Sequence, residues 1–207
     1  MNKLKHFYFN KYIVSRFSRK KYFLSYNFKY RTLWYRTYKV ASRTINQHMK
    51  DSSPREYIYS SEVGYIPAMY KSYFKFAFVR NPIEKFISAW KDKVLNQNYF
   101  CFETDMYEKM KNLDSFISWV ETLNIYECDE HLRSQNALID MDVVDFIGRF
   151  ENFENDFKYV ADKIKMPITK IFHKNKSGNN IDNLSNKHII RIEEIYKDDI
   201  KMFYPKN

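Results

Sequence analysis

Apolar and polar positions switch repeatedly between two rhythms along this chain. Leu33–Tyr38 is short and aromatic and predicts a strand, and Ile45–Lys50 after it reads as helix. Glu56–Ser60 predicts a second strand. Tyr73–Val79 is apolar or aromatic at nearly every position, the pattern of a parallel strand covered on both faces. Asn81-Pro82 follows at once, an N-cap residue and then a residue suited to a first helical turn. Ile83, Phe86, Ile87, Trp90 and Val94 then fall on one helical stripe, and Leu113, Phe116, Ile117, Val120 and Leu123 on another. Val143–Phe150 reads as strand. Phe153, Phe157, Val160 and Ile164 mark a further helix, and Ile189, Ile192, Tyr196, Ile200 and Phe203 a last one.

This alternation predicts an α/β fold with a mainly parallel central sheet flanked by helices. In such sheets ligands sit beyond the C-terminal strand ends, where helices begin. Two segments occupy that position. Lys39-Val40-Ala41-Ser42-Arg43-Thr44 leads from a strand into a helix, and Arg80-Asn81-Pro82 does the same after the strongest strand. A helix N-terminus offers unpaired N–H groups and the positive end of a dipole. Ser42 and Thr44 add hydroxyls and Lys39 a mobile charge. Arg80 can give a charge-assisted fork to a phosphate, with Ser88 two turns further on. An ordinary capped turn and a structural ion pair at Arg80 are the alternatives. The glycines of a Walker A loop are absent.

The composition sharpens this picture in two places. The net charge is +10, but residues 1–50 hold eight Lys and five Arg and no Asp or Glu, so the remainder sums to −3. That asymmetry favours anionic partners: nucleotides, nucleic acid, acidic glycans or an anionic membrane. Residues 1–30 interleave aromatics with Lys and Arg and are expected to form a basic extension packed on the domain of residues 31–207, or a surface-lying membrane-peripheral segment. No run of about 20 apolar residues predicts a transmembrane helix. Two cysteines, Cys101 and Cys128, are too few for a disulfide scaffold. The five His are scattered, so no metal is expected.

The two segments together resemble the sulfotransferase superfamily, and more closely the carbohydrate sulfotransferases of "sulfotransferase family 2". Lys39–Thr44 is similar to their 5′-phosphosulfate loop, and Arg80-Asn81-Pro82 with Ser88-Ala89-Trp90 to their 3′-phosphate site. Asp129–Arg133, Asp145–Phe153, His173–Ser177 and Tyr196–Asp199 resemble further family elements in the right order. Lys85 stands where the family commonly has Arg, Arg43 where it has Thr or Ser, and Leu132 and Ser134 where aromatic and proline neighbours are usual.

The resemblance implies a three-layer, P-loop NTPase-like fold and a transferase acting without a metal. It would move a sulfuryl group from 3′-phosphoadenosine 5′-phosphosulfate to a hydroxyl, most simply of a carbohydrate. Lys39 would stabilise the leaving oxygen. Backbone N–H groups of residues 41–45, with Val40, Ser42, Arg43 and Thr44, would hold the 5′-phosphate. Arg80 and Ser88 would hold the 3′-phosphate. His131 is the first choice of general base, Glu62 the second and His48 a lesser one. The chain would be cytoplasmic, resting on a membrane at most through residues 1–30, with no specific nucleic acid as partner. The competing reading is a non-enzymatic binder of polyanions or nucleic acid on a degenerate fold of this kind.

Overall fold

The computed structural model of the protein describes residues 3–18, 20–168 and 184–205. In chain order it opens with helix α1 (Lys3–Phe9), which continues through a π-helical turn, Asn10–Val14, into the short α2 (Ser15–Phe17). Strands β1 (Lys21–Asn27) and β2 (Thr32–Tyr35), helix α3 (Ser42–Ser52), β3 (Tyr57–Gly64) and β4 (Phe74–Val79) follow. Then come α4 (Pro82–Trp90), running on as a π-helical turn to Leu95, α5 (Thr104–Met110), α6 (Leu113–Glu121) and α7 (Gln135–Leu138). The chain ends with β5 (Phe146–Arg149), α8 (Phe153–Ile164), α9 (Asn186–Ile195) and α10 (Lys197–Phe203). The expected final helix is thus two, broken at Tyr196. The described residues fall into two compact units: residues up to Val79 with those from Leu138 to 168, and Arg80–Ala137 with those from 184 on.

The first unit is built on a five-stranded sheet of order β3-β1-β2-β4-β5. The fold is α/β with helices flanking a central sheet, as expected, but the sheet is mixed rather than mainly parallel. β2–β4 and β4–β5 pair parallel, whereas β1 pairs antiparallel with both β2 and β3. The difference lies in residues 21–30, assigned above to an extension. They supply β1, and Asn27 accepts the Tyr30 backbone N–H to start the turn into β2, which passes Arg31 at φ 47°. The Lys and Tyr of residues 21–30 continue the basic, aromatic composition of the stretch before them and so read with it as an extension, yet Tyr22 through Asn27 are all buried.

Strand alternation sends Trp34, Phe76 and Phe78 to one face, where they meet Val40, Ile45 and Met49 of the α3 segment and Phe157, Val160 and Ile164 of α8. Gly148 is required there. A Cβ on it would come within 2.5 Å of the Phe78 ring, its cross-strand neighbour. On the opposite face, Tyr22, Tyr26 and Tyr35 lie with Tyr65 and Tyr70, and the inner side of α1 adds His6, whose ring stands edge-on to Tyr26 at 4.3 Å.

His6 carries a pH dependence. Burial lowers its pKa from 6.5 to about 4. The unfolded chain therefore takes up this proton first as the pH falls, so stability present above about pH 6.5 is lost on the way down to 4. His6→Phe is expected to flatten the pH 4–6.5 limb of a urea-melt stability profile. An unchanged limb would place the acid sensitivity elsewhere.

The second unit is helical. Phe86, Ile87 and Ala89 of α4 pack with Phe116, Ile117 and Val120 of α6 and with Ile192 and Tyr196. Asn81 caps α4 as its sequence suggests, its side chain accepting from the Ile83 and Glu84 N–H groups.

Candidate active site

The segment between β2 and α3 is held shut by hydroxyls. Thr37 Oγ1 donates to the Phe78 carbonyl and Ser42 Oγ to the Thr37 carbonyl, 2.9 Å. Inside this bracket Lys39 has φ 66° and Ala41 φ 59°, both left-handed without being glycine. Each such residue costs about 1–2 kcal/mol. Backbone strain of this kind gathers at ligand-binding turns, and a turn alternating in this way is one route to a concave nest of N–H groups. Ala41 is the N-cap of α3, and its carbonyl takes the Thr44 and Ile45 N–H groups, 2.9 and 3.2 Å. Those two N–H groups, expected to face a phosphate, are turned into the helix. By helix geometry the Ser42 and Arg43 N–H groups have no intrahelical acceptor. The Arg43 side chain is exposed and those of Ser42 and Thr44 half-buried, while Val40 is core. His48, the lesser base candidate, is buried on α3 with its ring against Phe157 and Nδ1 on the Thr44 carbonyl, 2.9 Å.

Glu62 lies near the C-terminal end of β3, opposite Phe23 of β1 and exposed. Arg36 extends β2 past Tyr35, its N–H bonding the Phe23 carbonyl at 2.7 Å. Sequence reasoning passed over Arg36. Its side chain is buried, with the guanidinium 3.7 Å from the centre of the Tyr59 ring and 5.8 Å from that of Phe23, and among the described residues neither Nε nor Nη1 has a hydrogen-bond partner. Aromatic stacking suits arginine, but two buried unsatisfied donors on a cation are costly. Arg36→Met is accordingly expected to hold or raise thermal stability, by up to about 1–4 kcal/mol. A loss of similar size in a chemical melt would mean that the guanidinium stabilises the fold as it stands.

In the second unit Arg80 sits at the start of α4 with a buried side chain. Nε and Nη2 bond Glu84 Oε2 one turn on, 3.2 and 3.0 Å, so the ion pair left open by the sequence is present. Ser88 follows Glu84 by another turn and is half-buried. The Arg80 backbone is fixed on both sides by Gln135, which accepts its N–H and donates to its carbonyl, each at 2.8 Å. Gln135 in turn depends on Asp199 of α10. That buried carboxylate accepts from Ser134 Oγ and from the Gln135 and Asn136 N–H groups at 2.7–2.9 Å.

His131 lies four residues before Gln135. Its N–H and Nδ1 both meet Asp129 Oδ1, each at 2.9 Å, and Tyr99 packs edge-on to the ring. Burial works to raise the Asp129 pKa, but its bonds to His131 outweigh this and leave it lowered. The fully buried Lys85 spans the His131, Leu132 and Arg133 carbonyls at 2.9–3.3 Å, and Tyr196 Oη adds a bond to the Leu132 carbonyl, 2.6 Å. The departures noted in this stretch therefore have structural work: Lys85 gathers three carbonyls, Leu132 is core and Ser134 feeds Asp199. Asp129, Glu130 and His131 also bring ligand-type atoms within 4.8 Å of one another. The His173–Ser177 element lies outside the described residues.

A profile described as "Sulfotransferase family" matches residues 9–205, nearly the whole chain. The protein belongs to the sulfotransferase family. No curated protein matches it, and no solved structure does. Membership supports a sulfotransferase activity and takes in β1, inside the stretch set apart above as an extension. Among the described residues no helix of this sulfotransferase is long and apolar enough to cross a membrane.

Proposed function

We propose that the protein transfers a sulfuryl group from 3′-phosphoadenosine 5′-phosphosulfate to a hydroxyl, most simply one of a carbohydrate. The observation that carries this reading is the strained turn opening α3, in which Lys39 and Ala41 hold left-handed conformations without glycine. The acceptor oxygen attacks sulfur, the bond from sulfur to the bridging phosphate oxygen breaks, and 3′-phosphoadenosine 5′-phosphate leaves. As in phosphoryl transfer, positioning and charge stabilisation do most of the work. Lys39 meets charge building on the bridging oxygen. The Ser42 and Arg43 N–H groups and the α3 dipole hold the 5′-phosphate, while the Ser42 hydroxyl keeps the turn closed. Arg36, with donors still unsatisfied, joins this set. Arg80, shaped by Glu84 and Gln135, and Ser88 take the 3′-phosphate. His131 receives the acceptor proton: an imidazole whose Nδ1–H faces a carboxylate presents its other nitrogen as the base. Glu62 is the alternative base.

Calorimetry tests the donor assignment. The protein is expected to bind 3′,5′-ADP at least about tenfold more tightly than ATP, and Arg80→Ala to erase that preference, since a lost charge-assisted contact is worth about 1.5–3 kcal/mol. Equal affinity for the two nucleotides in the wild type would remove the 3′-phosphate site.

A further inference from the structure

The helical segment from α1 to α2 has two unlike sides. His6, Asn10 and Val14, spaced one turn apart, face inward and are buried. Leu4, Phe7, Tyr8, Tyr12, Ile13 and Phe17 are each 49–71% exposed. Soluble chains scatter such side chains singly, and six within four turns make a patch that asks for a partner. The same helices carry the exposed Lys5, Lys11 and Arg16. The Lys11 ammonium lies over the Phe7 and Tyr12 rings at 5.8 and 5.3 Å, a cation–π contact on this surface. No Asp or Glu occurs in residues 1–50.

We propose that this outer side of α1–α2 is a docking surface for an anionic lipid bilayer, lying in the headgroup plane with Leu4, Phe7, Ile13 and Phe17 entering the acyl boundary. Charge decides the partner. A second copy would set Lys11 and Arg16 against their own like charges across an isologous contact. A nucleic acid would answer the cations but has nothing to receive Leu4 and Ile13. An anionic bilayer answers both, and Lys with Tyr at the rim is the composition such interfaces take. The inference is independent of the donor and acceptor assignments.

The test uses the full chain with sucrose-loaded phosphatidylcholine vesicles, with and without about 30% phosphatidylserine. Partition is expected to be at least about tenfold stronger with the anionic lipid. Phe7→Ser/Tyr12→Ser, which leaves every charge in place, should lose at least about tenfold of it. Unchanged circular dichroism and an unchanged melting temperature would show that the variant is folded. Four outcomes overturn the proposal: no preference for anionic vesicles, undiminished partition of the double variant, a lipid-free dimer that the variant abolishes without any vesicle binding, or retention of single-stranded DNA but not of vesicles.

Discussion

Lys39→Ala is expected to slow sulfuryl transfer by roughly 10²–10³-fold, about 2.7–4 kcal/mol of transition-state stabilisation, at an unchanged melting temperature. The side chain is half-buried at the lip of the turn, and alanine meets the same left-handed φ that lysine already accepts, so the backbone has no new reason to move. In the proposed role, what disappears is a cation meeting charge on the oxygen from which sulfur departs. The loss should therefore lie in kcat more than in KM, because the ground-state donor needs this charge less than the transition state does. Single-turnover transfer from labelled donor, with a melt of the same sample, reads both halves. Full turnover in the variant would remove Lys39 from the leaving-group role.

The largest effect on stability is expected at Asp199. Asp199→Ala leaves the Gln135 and Asn136 backbone N–H groups without their acceptor in a closed interior and leaves the Ser134 hydroxyl only Asn136 Oδ1. Stranded buried donors cost about 1–3 kcal/mol each, so a loss of about 3–5 kcal/mol follows, on the order of 10 °C in melting temperature for a chain of this size. The damage should not stay local. Gln135 loses its anchor and Arg80 then loses the clamp on both sides of its backbone, so 3′,5′-ADP affinity should fall in parallel. Asp199→Asn keeps one acceptor oxygen and should lose less. If Asp199→Ala melted within about 1 kcal/mol of wild type, the stretch from His131 to Asn136 would not depend on Asp199 for its stability.

The sequence revealed most clearly what rests on local rules. β4 stood out because both its faces are covered, and α4 because Asn81 and Pro82 mark its start. The β2–α3 turn was visible as a position in the fold, but its left-handed residues were not: without glycine, no local signal announces a positive φ. β1 was hidden by composition, since a strand set among Lys and Arg reads as part of a basic extension until its pairing is known. Arg80 was named correctly as a helix-start arginine, whereas its dependence on Gln135 and Asp199 spans contacts of 55 to 65 residues, beyond the reach of any periodicity. Arg36 was missed because its burial depends on the pairing of β1, β2 and β3. Its meaning lies in what fails to surround it.

The order in which the sheet is assembled has a cost during synthesis. β4 pairs with β5, and Phe78 is roofed by Gly148 and α8, yet β5 begins only after the whole of residues 80–145 has been made. At about 5–20 residues per second, a nascent chain carries an open, strongly apolar strand edge for several seconds after β4 emerges. A ribosome stalled in that interval, or a message truncated before α8, yields a product primed for edge-to-edge aggregation. Chaperone demand for this enzyme should therefore track translation speed through its middle third.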